Sequence, residues 1–229
     1  MKYFLHLGNN DPDYRGIMER QTDFHAGGKL IPALRTVIAE QTHSDLVHVC
    51  SESDSGAGFG SHPQISTADG FISNIPNQYL LIRTADCTPV IFVDKQLRAV
   101  GAVHSGREGT RKNIAGKAVR LLGSEYGIAP TEILAWIGAG ICQQHYPVAD
   151  DVWYHYVESM QALGLDTSLQ KKPFLNIRLS IFQQLISSGI PFRNIEQDST
   201  CTWESACHFS WRRDGSRNRQ INIVGLEDE

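Results

Sequence analysis

Pro89-Val90-Ile91-Phe92-Val93-Asp94 and Arg98-Ala99-Val100-Gly101-Ala102-Val103 are two near-continuous apolar runs separated by a short polar turn. Runs of this length rich in β-branched residues predict adjacent hairpin strands, and apolar residues at consecutive positions require both faces of the sheet to be covered. Downstream, Ile114, Ala118, Val119, Leu121 and Leu122 recur at helical spacing within 110–126, and Gly127 supplies a stop. Residues 133–138 form the next buried-strand candidate. Two helices follow over 150–163 and 175–188, each closed by a glycine, and short strands around Cys201 and His208 lead to a last strand at 221–224. Upstream, residues 3–7, 36–43, 46–50, 68–73 and 79–83 read as strands, 9–28 as loops around a short helix, and 51–66, rich in Ser, Gly, Asp and Pro, as an exposed loop. Strands interleaved with helices predict an α/β fold, a single three-layer α/β/α domain over residues 1–229 with a mixed sheet.

Composition narrows the function. The 229 residues carry a formal net charge of -4, against the broad basic footprint that nucleic-acid binding requires. Five cysteines in no repeating spacing do not write a disulfide framework and predict a reduced, cytoplasmic setting. The apolar run near Met1 is too short for a signal peptide, and no stretch approaches the ~18 apolar residues of a membrane span, so no membrane partner is expected.

Cys87 lies in Thr84-Ala85-Asp86-Cys87-Thr88-Pro89 and His104 in Ala102-Val103-His104-Ser105-Gly106, each beside a strand-like run. The pair reads as metal ligands, as a catalytic dyad, or as ordinary core residues. His43, at the predicted end of another strand, extends it to a His, Cys, His set. Two imidazoles and a thiolate suit Zn(II), with Cu(II) the alternative, and three protein ligands leave a fourth position open. Asp86 is a candidate to orient a histidine ligand, to take a proton, or simply to cap backbone amides. Arg212, Arg213, Arg217 and Arg219 lie within one short polar segment and form a candidate anion site.

Seven segments occur in order: Gln41-Thr42-His43, Ala68-Asp69-Gly70, Thr84-Ala85-Asp86-Cys87-Thr88-Pro89-Val90, His104-Ser105-Gly106 with Gly109-Thr110, Ile137-Gly138-Ala139-Gly140-Ile141 with Tyr146 and Val148, Cys201-Thr202, and Phe209-Ser210-Trp211-Arg212-Arg213-Asp214-Gly215. The series resembles the YfiH type laccase-domain family, also called polyphenol-oxidase-like proteins or peptidoglycan editing factor. The resemblance implies zinc held by His43, Cys87 and His104, and a purine nucleoside phosphorylase acting on adenosine, inosine, guanosine and methylthioadenosine, with adenosine deaminase activity. Purine nucleoside and phosphate are the implied small-molecule partners, phosphate falling to Arg212, Arg213 and Arg219 in a monomer or homodimer.

The chain departs from the family pattern at Arg107 and Glu108, where tryptophan and arginine are usual. It departs again at Pro147 and Ala149, and at Arg217-Asn218-Arg219 in place of Thr-Gly-Arg. Three other readings stand beside the phosphorylase: a metal-free Cys87/His104 hydrolase acting on peptidoglycan precursors, a copper-dependent polyphenol oxidase, and a diverged binding protein without activity.

Overall fold

The computed structural model describes residues 1–228. In chain order the elements are β1 (Lys2–Leu7), α1 (Tyr14–Arg20), β2 (Phe24–Ala26), β3 (Lys29–Ile31), β4 (Thr36–Val37), β5 (Val47–Val49), β6 (Gly70–Ser73), β7 (Tyr79–Thr84), β8 (Thr88–Asp94) and β9 (Val100–Ser105). There follow α2 (Arg107–Arg111), α3 (Ile114–Tyr126), β10 (Ile133–Ile137), α4 (Asp150–Ala162), α5 (Ile177–Ser187), β11 (Ile195–Gln197), α6 (Trp211–Asp214) and β12 (Gln220–Glu227).

The predicted hairpin is the centre of a six-stranded sheet ordered β11-β10-β8-β9-β6-β5, with Ile91 opposite Ala102. A four-stranded sheet, β1-β12-β7-β4, packs beside it. Both sheets are mixed: β10/β11, β5/β6 and β4/β7 run parallel, the other pairs antiparallel.

The two-residue period of the strands sorts the core. Val90 and Phe92 face Ala118, Leu122, Met160 and Ile181 of α3, α4 and α5, whereas Ile91 and Val93 face Leu80, Ile82, Val224 and Leu226 of the second sheet. The far side of that second sheet, Leu81, Ile221 and Ile223, is covered by Ile17 of α1 with Phe24 and Ile31 of the β2–β3 hairpin. The α/β class and mixed sheet are as predicted, and the middle of the helix-flanked sandwich is a pair of sheets.

Local differences have physical causes. The strand expected over 36–43 is regular only at Thr36–Val37. Beyond it the chain makes an isolated bridge between Ala39 and Ile65 and turns through a left-handed residue, His43 at φ 59°. The helix expected over 110–126 is two helices, α2 and α3. Asn113 adopts φ 61° between them, and its side chain accepts from the Gly116 amide to cap α3. The short strands expected around Cys201 and His208 reduce to one bridge, Gly140 to Cys201. Among the described residues no helix is long and apolar enough to cross a membrane.

Candidate metal-binding active site

Strand register gathers the site. Pro89 of β8 lies opposite His104 of β9, so Cys87, two residues before Pro89, sits at the same end of the hairpin. Gly70 of β6 lies opposite Val103, which puts Asp69 beside His104, whose amide donates to the Asp69 carbonyl at 2.7 Å. The donor atoms of His43, Cys87 and His104 lie within 4.8 Å of one another, with His43 Nε2 and Cys87 Sγ 3.8 Å apart. Gly106 closes the back of the trio: a Cβ there would stand 2.7 Å from Cys87 Sγ and 3.0 Å from the His43 ring. Space for side-chain donors exists here only because residue 106 has none.

Asp69, fully buried, organises the trio. One carboxylate oxygen contacts His104 Nδ1 at 2.8 Å and accepts the His43 amide at 3.1 Å, while the other accepts the Thr42 and Ser44 amides and the Ser44 hydroxyl. This set fixes the His104 ring so that its Nε2 is the free donor, and it holds the left-handed turn at His43. Burial pushes the Asp69 carboxyl up, but its bonds to His104 and Ser44 outweigh that and hold it at about 2. Burial likewise opposes charge on Cys87 and His104. Their mutual attraction, with the His43 and Asp69 hydrogen bonds, brings the thiol down to about 6 and the imidazole up to about 9. The mutual attraction of the pair favours a thiolate beside an imidazolium over two neutral groups. Two imidazole nitrogens and a thiolate, mutually close and braced from behind, fit a borderline-soft metal ion.

The trio opens onto a cavity of about 530 Å³. Tyr14, Tyr146 and Trp211 supply aromatic walls, and Arg83, Arg107, Arg212, Arg217 and Arg219 make it cationic. Arg83 is held by the Tyr14 hydroxyl, the Ala39 carbonyl and Gln41, and Arg107 by Glu108. Arg219 donates to the Ser216 and Asn218 carbonyls. Among the described residues, the guanidinium groups of Arg212 and Arg217 have no protein acceptor; that of Arg212 lies 5.1 Å from the centroid of the Tyr146 ring.

Each residue expected from the sequence has a definite place. His43, Cys87 and His104 come together, and Asp86, Arg212 and Arg219 line the same cavity. Asp86 does not contact a histidine. Its carboxylate accepts the Thr202 hydroxyl and the Arg212 amide, both at 2.7 Å, so it braces the wall carrying Arg212 from a left-handed position at φ 81°. Arg213 is a correction to the expected anion site: its guanidinium donates to the carbonyls of Thr202, Trp203, Ser205 and His208 and to Asp214, which leaves it a structural clamp. Asp69 and Arg83 were not singled out as site residues by the sequence, although Asp69 stands in the Ala68-Asp69-Gly70 motif.

The chain is 29% identical over 195 residues to a purine nucleoside phosphorylase of Corynebacterium glutamicum, covering 85% of this chain and 76% of that protein. It is 30% identical over 235 residues to the purine nucleoside phosphorylase YlmD of Geobacillus stearothermophilus, covering 98% and 83%. The crystal structure of the Bacillus licheniformis hypothetical protein YfiH superposes with a TM-score of 0.78 at 30% identity, over 93% of this chain and 79% of that one. The YlmD crystal structure from Geobacillus stearothermophilus also gives 0.78, at 29% identity over 86% and 76%. With residues 5–227 matched by the model of the multi-copper polyphenol oxidoreductase laccase family, the chain belongs to that family.

Proposed function

We propose that the cavity is the active site of a zinc-dependent purine nucleoside phosphorylase with adenosine deaminase activity, acting on adenosine, inosine, guanosine and methylthioadenosine. The observation that carries the reading is the cavity itself, where an open three-donor trio faces two arginines that have no protein acceptor. When bound by His43, Cys87 and His104, zinc supplies Lewis-acid chemistry at the cavity floor. Arg212 and Arg217 hold the phosphate, with Arg219 beside them, and Asp86 fixes Arg212 through its amide. Trp211, half exposed at the rim, offers a ring face for the purine. In phosphorolysis the ribose C1′–N9 bond breaks as an oxygen of hydrogen phosphate bonds C1′, and the purine leaves with the bonding pair and takes up the proton that the phosphate gives up. The positive charge that develops on the sugar is met by the phosphate anion those arginines orient.

The test is metal-loaded protein given adenosine with and without phosphate, the products separated chromatographically. The reading expects phosphate-dependent adenine release, inosine from the deaminase reaction, and loss of both in His104→Ala. Arg212→Ala should raise the KM for phosphate about 10- to 100-fold, the loss of one charge-assisted contact. Asp69→Asn should weaken metal affinity about 10- to 100-fold by freeing the His104 ring. No turnover of any purine nucleoside sinks the reading.

A second reading, the metal-free hydrolase of peptidoglycan precursors, is favoured by one observation: the Cys87 sulfur lies within 4.8 Å of an imidazole nitrogen of His104, whose attraction lowers the thiol. An activity blocked by alkylating Cys87 and untouched by chelators selects it. Steady oxygen consumption by the copper-loaded protein with a phenol would instead select the oxidase.

A further inference from the structure

A second group of metal-capable side chains lies outside the trio. Cys142 caps a short 3-10 turn that ends at His145, and Cys201 and Glu204 stand at the two ends of another turn, so each pair repeats an x-x spacing: Cys142-Gln143-Gln144-His145 and Cys201-Thr202-Trp203-Glu204. The four donor atoms lie within 4.8 Å of one another. His145 Nδ1 stands 3.2 Å from Cys142 Sγ, 3.7 Å from Cys201 Sγ and 3.3 Å from Glu204 Oε1, and Cys142 Sγ is 3.9 Å from Glu204 Oε1. Tetrahedral zinc with bonds of about 2.0–2.3 Å requires ligand-to-ligand edges of roughly 3.3–3.8 Å. Four edges of this group are therefore already close to coordination length. The His145 ring is further fixed by stacking on Trp203, centroids 3.9 Å apart and planes within 10°.

We propose that Cys142, His145, Cys201 and Glu204 form a second, structural zinc site, distinct from the His43, Cys87, His104 trio. With four protein ligands the site is closed, which is the mark of a structural rather than a catalytic zinc. Its place in the fold gives it a task. The two segments it joins are otherwise tied by the Gly140–Cys201 bridge and by Arg178, whose guanidinium donates to the carbonyls of Gly140, Asp198 and Thr200. One segment continues into Tyr146, and the other carries Thr202, which donates to Asp86. Metal at this point adds a further tie between two parts of the cavity wall. The inference shares no ligand with the proposed catalytic site and does not depend on the reaction performed there.

The experiment removes the trio first. Full-length protein carrying His43→Ala and Cys87→Ala is stripped of metal under reducing conditions and titrated with Zn(II), and separately with Co(II). The proposal expects one equivalent of zinc by elemental analysis, a rise in Tm on binding, and thiolate-to-cobalt charge-transfer absorption. Adding Cys201→Ser or His145→Ala should abolish all three signals. Should those variants fold poorly, Glu204→Gln carries the test: its side chain is 60% exposed, and it should keep the circular dichroism spectrum while weakening zinc about tenfold or more. Three results overturn the proposal: no metal retained by the double variant, zinc affinity indifferent to Glu204→Gln, or a Cys142–Cys201 disulfide in peptide maps of protein isolated with zinc present.

Discussion

Arg212 and Arg213 are neighbours of one residue type with opposite fates. α6 begins at Trp211, and its turn sends one guanidinium over Tyr146 at the cavity and the other into a cluster of carbonyls. Spacing in the sequence could gather the arginines but not assign them, because side-chain direction is fixed only once the helical turn exists. The metal-capable trio was legible, since a histidine and a cysteine beside buried strands are rare enough to notice. Asp69 was not: an Asp-Gly pair reads as a turn, and only the β6–β9 register shows that the carboxylate is interior and carries the bonds that hold two ligands. The Cys87–His104 pair makes a quantitative prediction. In metal-free protein, alkylation of Cys87 should rise with pH through an inflection near 6, well below the ~8.5 of an ordinary thiol. His104→Ala should move that inflection up towards the ordinary value, because His104, the stronger of the two groups that oppose burial, is gone and only His43 remains. The pair adds little pH dependence to folding, because bringing the thiol from 9.0 to about 6 and the imidazole from 6.5 to about 9 leaves the number of protons bound nearly equal in the folded and unfolded chain. Mass-spectrometric counting of modified Cys87 against pH checks the first part.

Among the elements, the β8–β9 hairpin and β10 were readable from near-continuous apolar runs, and α4 and α5 from apolar segments of helical length closed by Gly164 and Gly189. The 36–43 segment misled because its apolar run, Val37-Ile38-Ala39, continues past the last ladder partner, and His43 turns away in a conformation no apolar pattern encodes. The α2–α3 break was hidden for a related reason: the apolar positions of α3 are in phase from Ile114 onward, and the left-handed Asn113 interrupts only the backbone. That residue carries a test. Asn113→Ala removes the cap on the Gly116 amide and puts a Cβ-bearing residue without a local hydrogen bond at φ 61°, so it should cost about 1–3 kcal/mol. Asn113→Gly keeps the backbone conformation free of strain and should cost less than 1 kcal/mol. Urea denaturation midpoints for the two variants give the comparison, and equal losses would contradict this account of the break.

For the whole molecule, the doubled sheet means that the β8–β9 hairpin has apolar matter on both sides, helices on one and β7 with β12 on the other. A truncation in that hairpin should therefore be felt globally. Ile91→Ala opens a hole between the sheets and should destabilise by about 2–5 kcal/mol, whereas Leu34→Ala, at a side chain 72% exposed, should change stability by no more than about 0.5 kcal/mol. Thermal unfolding of the two variants makes the check. The order of the second sheet has one more consequence. β12, Gln220–Glu227, is buried at every position and lies between β1 and β7, which come more than a hundred residues before it. A ribosome must deliver residue 227 before β1 and β7 gain the strand that lies between them and before Val224 and Leu226 complete the cover over the inner face of β8, so the nascent chain carries that face only partly covered while residues 95–219 are made. Chaperone capture is expected to concentrate in that interval, and it should end when β12 emerges from the exit tunnel.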